Sequence, residues 1–446
     1  IEIAGADDFQ FTANTFTALS GSTITIASGA TIANSGTATG FADLTAIGDG
    51  TVGSPSIANS GDTNTGVYFP AADNVGVVAG GTEQFRFGSN PINGNRNLFY
   101  NGDFAVRQRG DVTGLGAVSV YTMDGVVFLN SGSPTGRFSA LTSTTVPANT
   151  GHRQSLKVDI TTADTSIAAA ALYYMEVRLE AQNVSHLRYG ESDAKSLTIS
   201  FWTRSSTTGD YTLMVEVPDG SRAYSVTYNI ASADTWEKKT ITIAGDTGGT
   251  INNDTGVGIT LRFGLTSGSN FQGGTEDTWK AQSNDMYGGG MSLNLFSSTS
   301  NDWYMAGLQV EEGAVATDFD FEDYGTTLAK CQRYYVRYNQ DGSNSVIIGA
   351  GENDNTTSAF IVVTYPVPMR TTAPTQGDGG TVGNFSVRHK ETNTAATAIA
   401  TTFTGGGSFA NVIDVTVSSG LTQGHGCVLF LGGGSNSTYL DFSSEL

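Results

Sequence analysis

The residues best suited to act on a ligand are aromatic. Phe271 to Met291 reads FQGGTEDTWKAQSNDMYGGGM and sets Phe271, Trp279 and Tyr287 among Gln272, Lys280, Gln282, Asn284 and Asp285. Sugar rings stack their flat C–H faces on exposed aromatic rings, while amides, carboxylates and guanidinium groups take the hydroxyls. A loop this long between two strong strands is more often functional than ornamental. We therefore expect Trp279, Tyr287, Phe271 and Gln282 to form part of a sugar-binding platform. Trp202 is a second candidate, because it falls out of phase with Leu197, Ile199 and Phe201 and shares its face with Ser200 and Arg204. The alternatives stay open: Trp279 plugs the end of a sandwich or a subunit interface, and Trp202 packs on a neighbouring subunit.

Signals for catalysis are weak. His152, His186, His389 and His425 lack the spacing of a metal-binding pair, and neither Cys331 nor Cys427 has a CxxC partner. The Gly-rich runs GGTE, GGGM and GGGS do not join a strand to a helix, as a phosphate loop must, and read as turns. Glycoside cleavage needs two carboxyl groups flanking the bond. Glu276-Asp277, Glu311-Glu312 and Asp318, Asp320, Glu322 and Asp323 are available, but adjacent acids on loops are normally solvated. We expect no catalytic residues, no cofactor and no metal. A structural Ca²⁺ at Asn252-Asn253-Asp254 or Asp62-Thr63-Asn64 is the alternative to simple Asx-turns there. Cys331 and Cys427 read as two buried thiols, with a single bridge between them as the alternative.

Composition bounds the partners. The chain has 446 residues, with 22 Lys and Arg against 42 Asp and Glu, for a net charge of −20. Nucleic-acid binding draws on Lys and Arg neutralising phosphates, so that class is excluded, and an acidic surface repels anionic membranes. The longest apolar run, Ile167 to Met175, falls far short of the ~20 residues that span a bilayer. The opening IEIAGADDF shows no signal peptide and reads as the continuation of a longer polypeptide. Charged residues make up only 14% while aromatics make up 10%, too rich in aromatics for disorder.

The elements that must position these residues are strands. Period-2 alternation marks Leu197–Phe201, Leu213–Val217, Tyr224–Ile230, Val257–Leu265, Met291–Leu295 and Tyr304–Val310, separated by turn clusters such as SSTTGD and GDTGGT. Their apolar members Leu197, Ile199, Phe201, Leu213, Val215, Ile259, Leu261, Phe263, Leu308 and Val310 should share one core. Around Met175, Val177 and Leu179 the alternation with Glu176, Arg178 and Glu180 again predicts a strand. Thr326–Val336 reads as a short helix with Leu328, Cys331 and Tyr335 on one face. Residues 1–95 hold few large side chains, so Ile24, Ile26 and Ile32 gain a core only if three chains wind together. The expectation is an all-β chain: a thin trimeric β shaft over 1–95, a jelly-roll-type sandwich over 96–325, and a short helix with a smaller C-terminal β-sandwich tip over 326–446.

Three stretches in one order resemble bacteriophage tail-fibre proteins. NSGDTNTGVYFPAADNVGVVAGGTEQFRF resembles a short module that recurs in them. NLFYNGDFAVRQRG at 97–110, with LTISFWTRSSTTGDYTLMVEV and TWEKKTITIAGDT, resembles their carbohydrate-binding-module-like β-sandwich. MAGLQVEEGAVATDFDFEDYGTTLAKCQRYY at 305–335 resembles the way that domain closes and passes through a helix to the tip. The chain departs from the pattern at YTMDGVVF (121–128). The resemblance implies a homotrimer in the virion tail, made in the host cytoplasm and joined to other tail proteins through an N-terminal anchor outside this sequence. It implies recognition of a host-surface polysaccharide without chemistry. A depolymerising tailspike and a passive structural fibre segment are the rival readings.

Overall fold

The computed structural model describes residues 2–3, 6–7, 9–12, 15–18, 48–72, 74–87, 96–116, 119–339, 345–401, 407–432 and 438–446. The chain divides into two compact units, 1–91 and 92–446. The expectation for Ile24, Ile26 and Ile32 lies outside the described residues.

In the first unit, Ile57–Asn59, Asp62–Tyr68, Val75–Ala79 and Thr82–Phe87 form an antiparallel four-stranded meander. Gly80 and Gly81, both with positive φ, make the tight turn between the last two strands. Among the described residues Tyr68 and Val78 are buried in it, and Gly76 leaves room for the Tyr68 ring, which a Cβ there would meet at 2.2 Å. Ahead of it lie two hairpins, Glu2–Ile3 with Ala6–Asp7 and Phe9–Thr12 with Thr15–Ala18.

The second unit opens with a β-sandwich. Its strands are β1 (Val112–Leu115), β2 (Ser119–Tyr121), β3 (Val126–Ser131), β4 (Arg137–Ser143), β5 (Ser155–Thr162) and β6 (Leu172–Glu180). They continue as β7 (Leu197–Ser205), β8 (Gly209–Val217), β9 (Arg222–Ile230), β10 (Glu237–Ile243), β11 (Val257–Ser267), β12 (Lys280–Ala281) and β13 (Asp302–Glu312). One sheet has seven strands in the order β2-β3-β6-β11-β8-β9-β12, the other six in the order β10-β7-β13-β5-β4-β1. All ten residues expected to share the core lie in it, fully buried, with Trp303, Phe296 and Phe138 among their neighbours. Period-2 patterning over long strands is decisive here, because a one-residue slip would turn every apolar side chain outward.

The helix begins two residues before the expected start and ends four before the expected end: α1 is Tyr324–Gln332. Asp323 sets its start by accepting from the Thr326 amide at 3.0 Å. Tyr335 is not on the helix but opens β14 (Tyr335–Asn339), because the aromatic, β-branched run YYVRY pairs as a strand. The remaining strands are β15 (Val346–Asn353), β16 (Ser358–Thr364), β17 (Thr375–Gly379), β18 (Phe385–His389), β19 (Thr392–Thr401), β20 (Ala410–Val417), β21 (Gly426–Leu431) and β22 (Tyr439–Ser443). β14, β22 and β17 form a small sheet, and the body expected as a second sandwich is joined into a closed barrel, β15-β16-β20-β19-β18-β21. The two cysteines are free and buried, Cys331 on α1 and Cys427 on β21.

Candidate functional site

Alternation on β6 sends Met175, Val177 and Leu179 into the core and Tyr174, Glu176, Arg178 and Glu180 to the outer face of the seven-stranded sheet. Strand register then assembles a polar surface. One row runs Glu176, Arg262, Met214 and Ser225 across β6, β11, β8 and β9; the next runs Arg178, Thr260, Glu216 and Ala223. Arg262 Nε donates to Glu176 Oε2 at 2.6 Å, and its Nη1 reaches Glu216. Arg178 binds the other oxygen of Glu176, a carboxylate with no exposed surface. Burial works against the Arg262 charge, but Glu176 and Glu216 outweigh it and hold the guanidinium protonated.

Residues 284–290 of the 271–291 segment lie against this face, while Lys280–Ala281 extends the sheet as β12. Ser225 Oγ donates to the Met286 carbonyl at 2.9 Å, and Thr212 Oγ1 to the Gly288 carbonyl at 2.7 Å. Met286 packs with Met214 and Ala223, and Tyr287 closes over them. The Glu276 carboxylate accepts from the Gly290 amide at 3.1 Å and from Thr227. The loop is therefore built onto the sheet.

The structure sorts the expected site residues into three groups. Phe271, Tyr287 and Gln282 come together: the two rings meet edge to face at 5.9 Å, and Gln282 Nε2 donates to Tyr287 Oη at 3.2 Å. The Tyr287 ring stands 5.8 Å from Tyr174, and the Arg262 guanidinium lies 5.2 Å from its centroid. Burial raises the Tyr287 hydroxyl above the usual tyrosine range. Trp279 faces elsewhere, half-buried against the sandwich core between Tyr189 and Tyr224, with its indole N–H given to the Ala244 carbonyl at 2.7 Å. Trp202 and Arg204 lie on the outer face of the six-stranded sheet. There Trp202 sits opposite Lys238 and Ala306, and Arg204, tied to Asp234 at 2.7 Å, covers the Tyr304 ring.

Glu176, Arg178, Glu216 and Arg262 were not singled out from the sequence. Their alternation on strands is a signal that they face away from the core, but which strands adjoin is set by a topology that spacing does not reveal. The Asp254 carboxylate caps the Gly256 amide at 2.8 Å, the Asx-turn geometry expected as the alternative to a cation site. A separate cleft of about 230 Å³ lies near Tyr100, Arg153, Phe319, Phe321 and Tyr324, and two of the charged residues lining it, Glu322 and Lys330, pair with each other at 2.5 Å.

No protein-family model and no curated protein matches the chain. Among solved structures it is similar to the enzymatically active domain of a bacteriophage CBA120 tailspike protein, at 10% identity and a TM-score of 0.25, over 42% of this chain and 19% of that one. It is similar to a family 11 carbohydrate-binding module from Clostridium thermocellum in complex with a β-1,3-1,4-mixed-linked tetrasaccharide, at 12% identity and a TM-score of 0.24, over 48% of this chain and 99% of that one. A xylan-binding domain from Paenibacillus barcinonensis matches at 13% identity and a TM-score of 0.22, over 46% of this chain and 99% of that one.

Proposed function

We propose that this chain binds a host-surface glycan, without cleaving it, as part of a phage tail fibre. The observation that carries the reading is the cluster on the outer face of the seven-stranded sheet: the Tyr174 and Tyr287 rings flank Arg262, which Glu176 and Glu216 hold in place. A guanidinium fixed beside aromatic rings supplies what a sugar ring needs, a ring to stack on and a hydroxyl partner already oriented. Glu176 and Glu216 are both committed to Arg262, so neither is a free acid poised to protonate a glycosidic oxygen. Phe271 and Gln282 would extend the platform, Trp279 would anchor the loop that carries it, and Trp202 with Arg204 would offer a second, smaller contact face. In the virion tail, several copies would add avidity to individually weak sites.

The test is a glycan array probed with the full chain and with Phe271→Ala/Tyr287→Ala, alongside an assay for new reducing ends on every glycan bound. Binding by the parent protein, its loss in the variant and no release of reducing ends are the expected results. Equal binding by the folded variant would remove the site from this face. Release of reducing ends would make the protein a depolymerase.

A further inference from the structure

The cleft near Phe321 lies where the start of the sandwich, 97–105, meets the segment 319–330 that enters α1. Its aromatic wall rests on three rings in mutual contact. His152 stands 4.8 Å from Phe319 and 5.0 Å from Phe321, and the two phenylalanines are 4.8 Å apart. Gly151, with φ at +87°, keeps the turn before His152 bare, and a Cβ there would meet the Phe321 ring at 3.1 Å. The ring therefore packs on the backbone that leads into Arg153. Phe321 is nonetheless 50% exposed, and Tyr324, the first residue of α1, 59%. A single exposed ring needs no explanation, but two lining one concave site offer a stacking surface.

The charges lining the cleft decide what stacks there. Asp103 Oδ1 pairs with His152 Nδ1 at 2.5 Å. Asp320 accepts from the Arg96 amide at 3.1 Å and faces the Arg96 guanidinium at 3.6 Å, and Glu322 holds Lys330 at 2.5 Å. Arg153 is the exception. It is exposed, and among the described residues no ion pair or hydrogen bond engages its guanidinium. A guanidinium in that state takes a carboxylate through two parallel N–H bonds. Repulsion of anions by a chain of net charge −20 is screened beyond ~8 Å at physiological salt, whereas a direct contact with Arg153 is not. The volume of about 230 Å³ lies below the ~300–1,000 Å³ of sites for drug-sized ligands, so it suits one sugar ring rather than a chain of them. We propose that this cleft binds a single uronic-acid residue, its carboxylate on Arg153, its ring face on Phe321 and a hydroxyl on the Asp103 carboxylate that His152 orients. The cleft shares no residue with the cluster around Arg262, so the inference stands whatever binds on the seven-stranded sheet.

The experiment uses the full chain and four probes, D-glucuronate, D-galacturonate and their neutral counterparts D-glucose and D-galactose, with binding read by saturation-transfer NMR. Saturable binding of at least one uronate is expected, about tenfold or more tighter than its neutral counterpart. Arg153→Gln, a change at an exposed side chain, should keep the fold and bring the uronate down to the level of the neutral sugar. Tyr287→Ala should leave uronate binding unchanged. Absence of saturable uronate binding by the parent would overturn the inference. So would equal uronate binding by Arg153→Gln, or a loss in Tyr287→Ala with none in Arg153→Gln, which would put the acid on the seven-stranded sheet instead.

Discussion

Glu445 reaches Arg109 at 2.9 Å in a setting that leaves its own side chain 6% exposed. Burial raises the carboxyl to about 7; Arg109 and Arg178 oppose this and Asp124 adds to it. An acid whose pKa is higher folded than unfolded binds its proton more readily in the native state, so its contribution to stability is greatest below the unfolded value near 4.5. The contribution is lost as pH rises from there to about 7. Glu445→Gln should therefore match the parent near pH 4 and exceed it at pH 8, by on the order of a few kcal/mol. Urea titrations at both pH values check this, and equal stabilities at pH 8 would contradict it.

A second prediction concerns the join between sandwich and helix. Glu180, 1% exposed, takes Arg333 through both oxygens at 2.6 and 2.9 Å and accepts from Tyr334 Oη at 2.7 Å. Removing one partner of a buried pair strands the other, at about 3–5 kcal/mol. Glu180→Ala should lower the urea midpoint accordingly. A loss under about 1 kcal/mol would mean that water reaches Arg333 freely.

Phe201 tests the core. It packs edge to face against Tyr228 and Phe263, both at 5.2 Å, with no exposed surface. Phe201→Ala should cost about 3–5 kcal/mol in chemical denaturation.

Trp279 and Tyr287 should separate in experiment as they do in space. Trp279→Phe loses the bond to the Ala244 carbonyl and should cost about 0.5–1.5 kcal/mol of stability while leaving glycan affinity nearly unchanged. Tyr287→Ala, by losing a stacking ring worth ~1 kcal/mol, should weaken each site about fivefold. Calorimetry with a glycan identified on the array, together with melts of both variants, distinguishes the two. A reversed pattern would place the sugar at Trp279.

Legibility followed the physics of each element. The sandwich core was readable because Ile199, Phe201, Leu261 and Phe263 repeat at period 2 on strands long enough to exclude a helix. The strands Thr375–Gly379, Thr392–Thr401 and Tyr439–Ser443 carry weak signals: TQGDG and TNTAATAIAT have few large side chains, and YLDFS is short. Of the candidate site, the aromatic members Tyr287 and Phe271 were visible as types in a long loop. The meeting of Tyr287 with Arg262 was not, since it depends on β11 lying between β6 and β8. Trp279 could not be told from a platform residue by sequence, because the carbonyl that claims its indole, that of Ala244, lies 35 positions away.

The small sheet has a consequence for how the chain matures on the ribosome. β22 is its central strand, and residues just beyond it are gripped from far upstream: Arg178 holds the Leu446 carbonyl across 268 positions, and Arg370 holds the carbonyls of Ser444 and Glu445. Contacts of such separation form late, because the loops they close are entropically expensive. A nascent chain lacking 439–446 would leave β14 and β17 without the strand between them and Arg109 without Glu445. Translation must therefore pass residue 446 before these parts can lock.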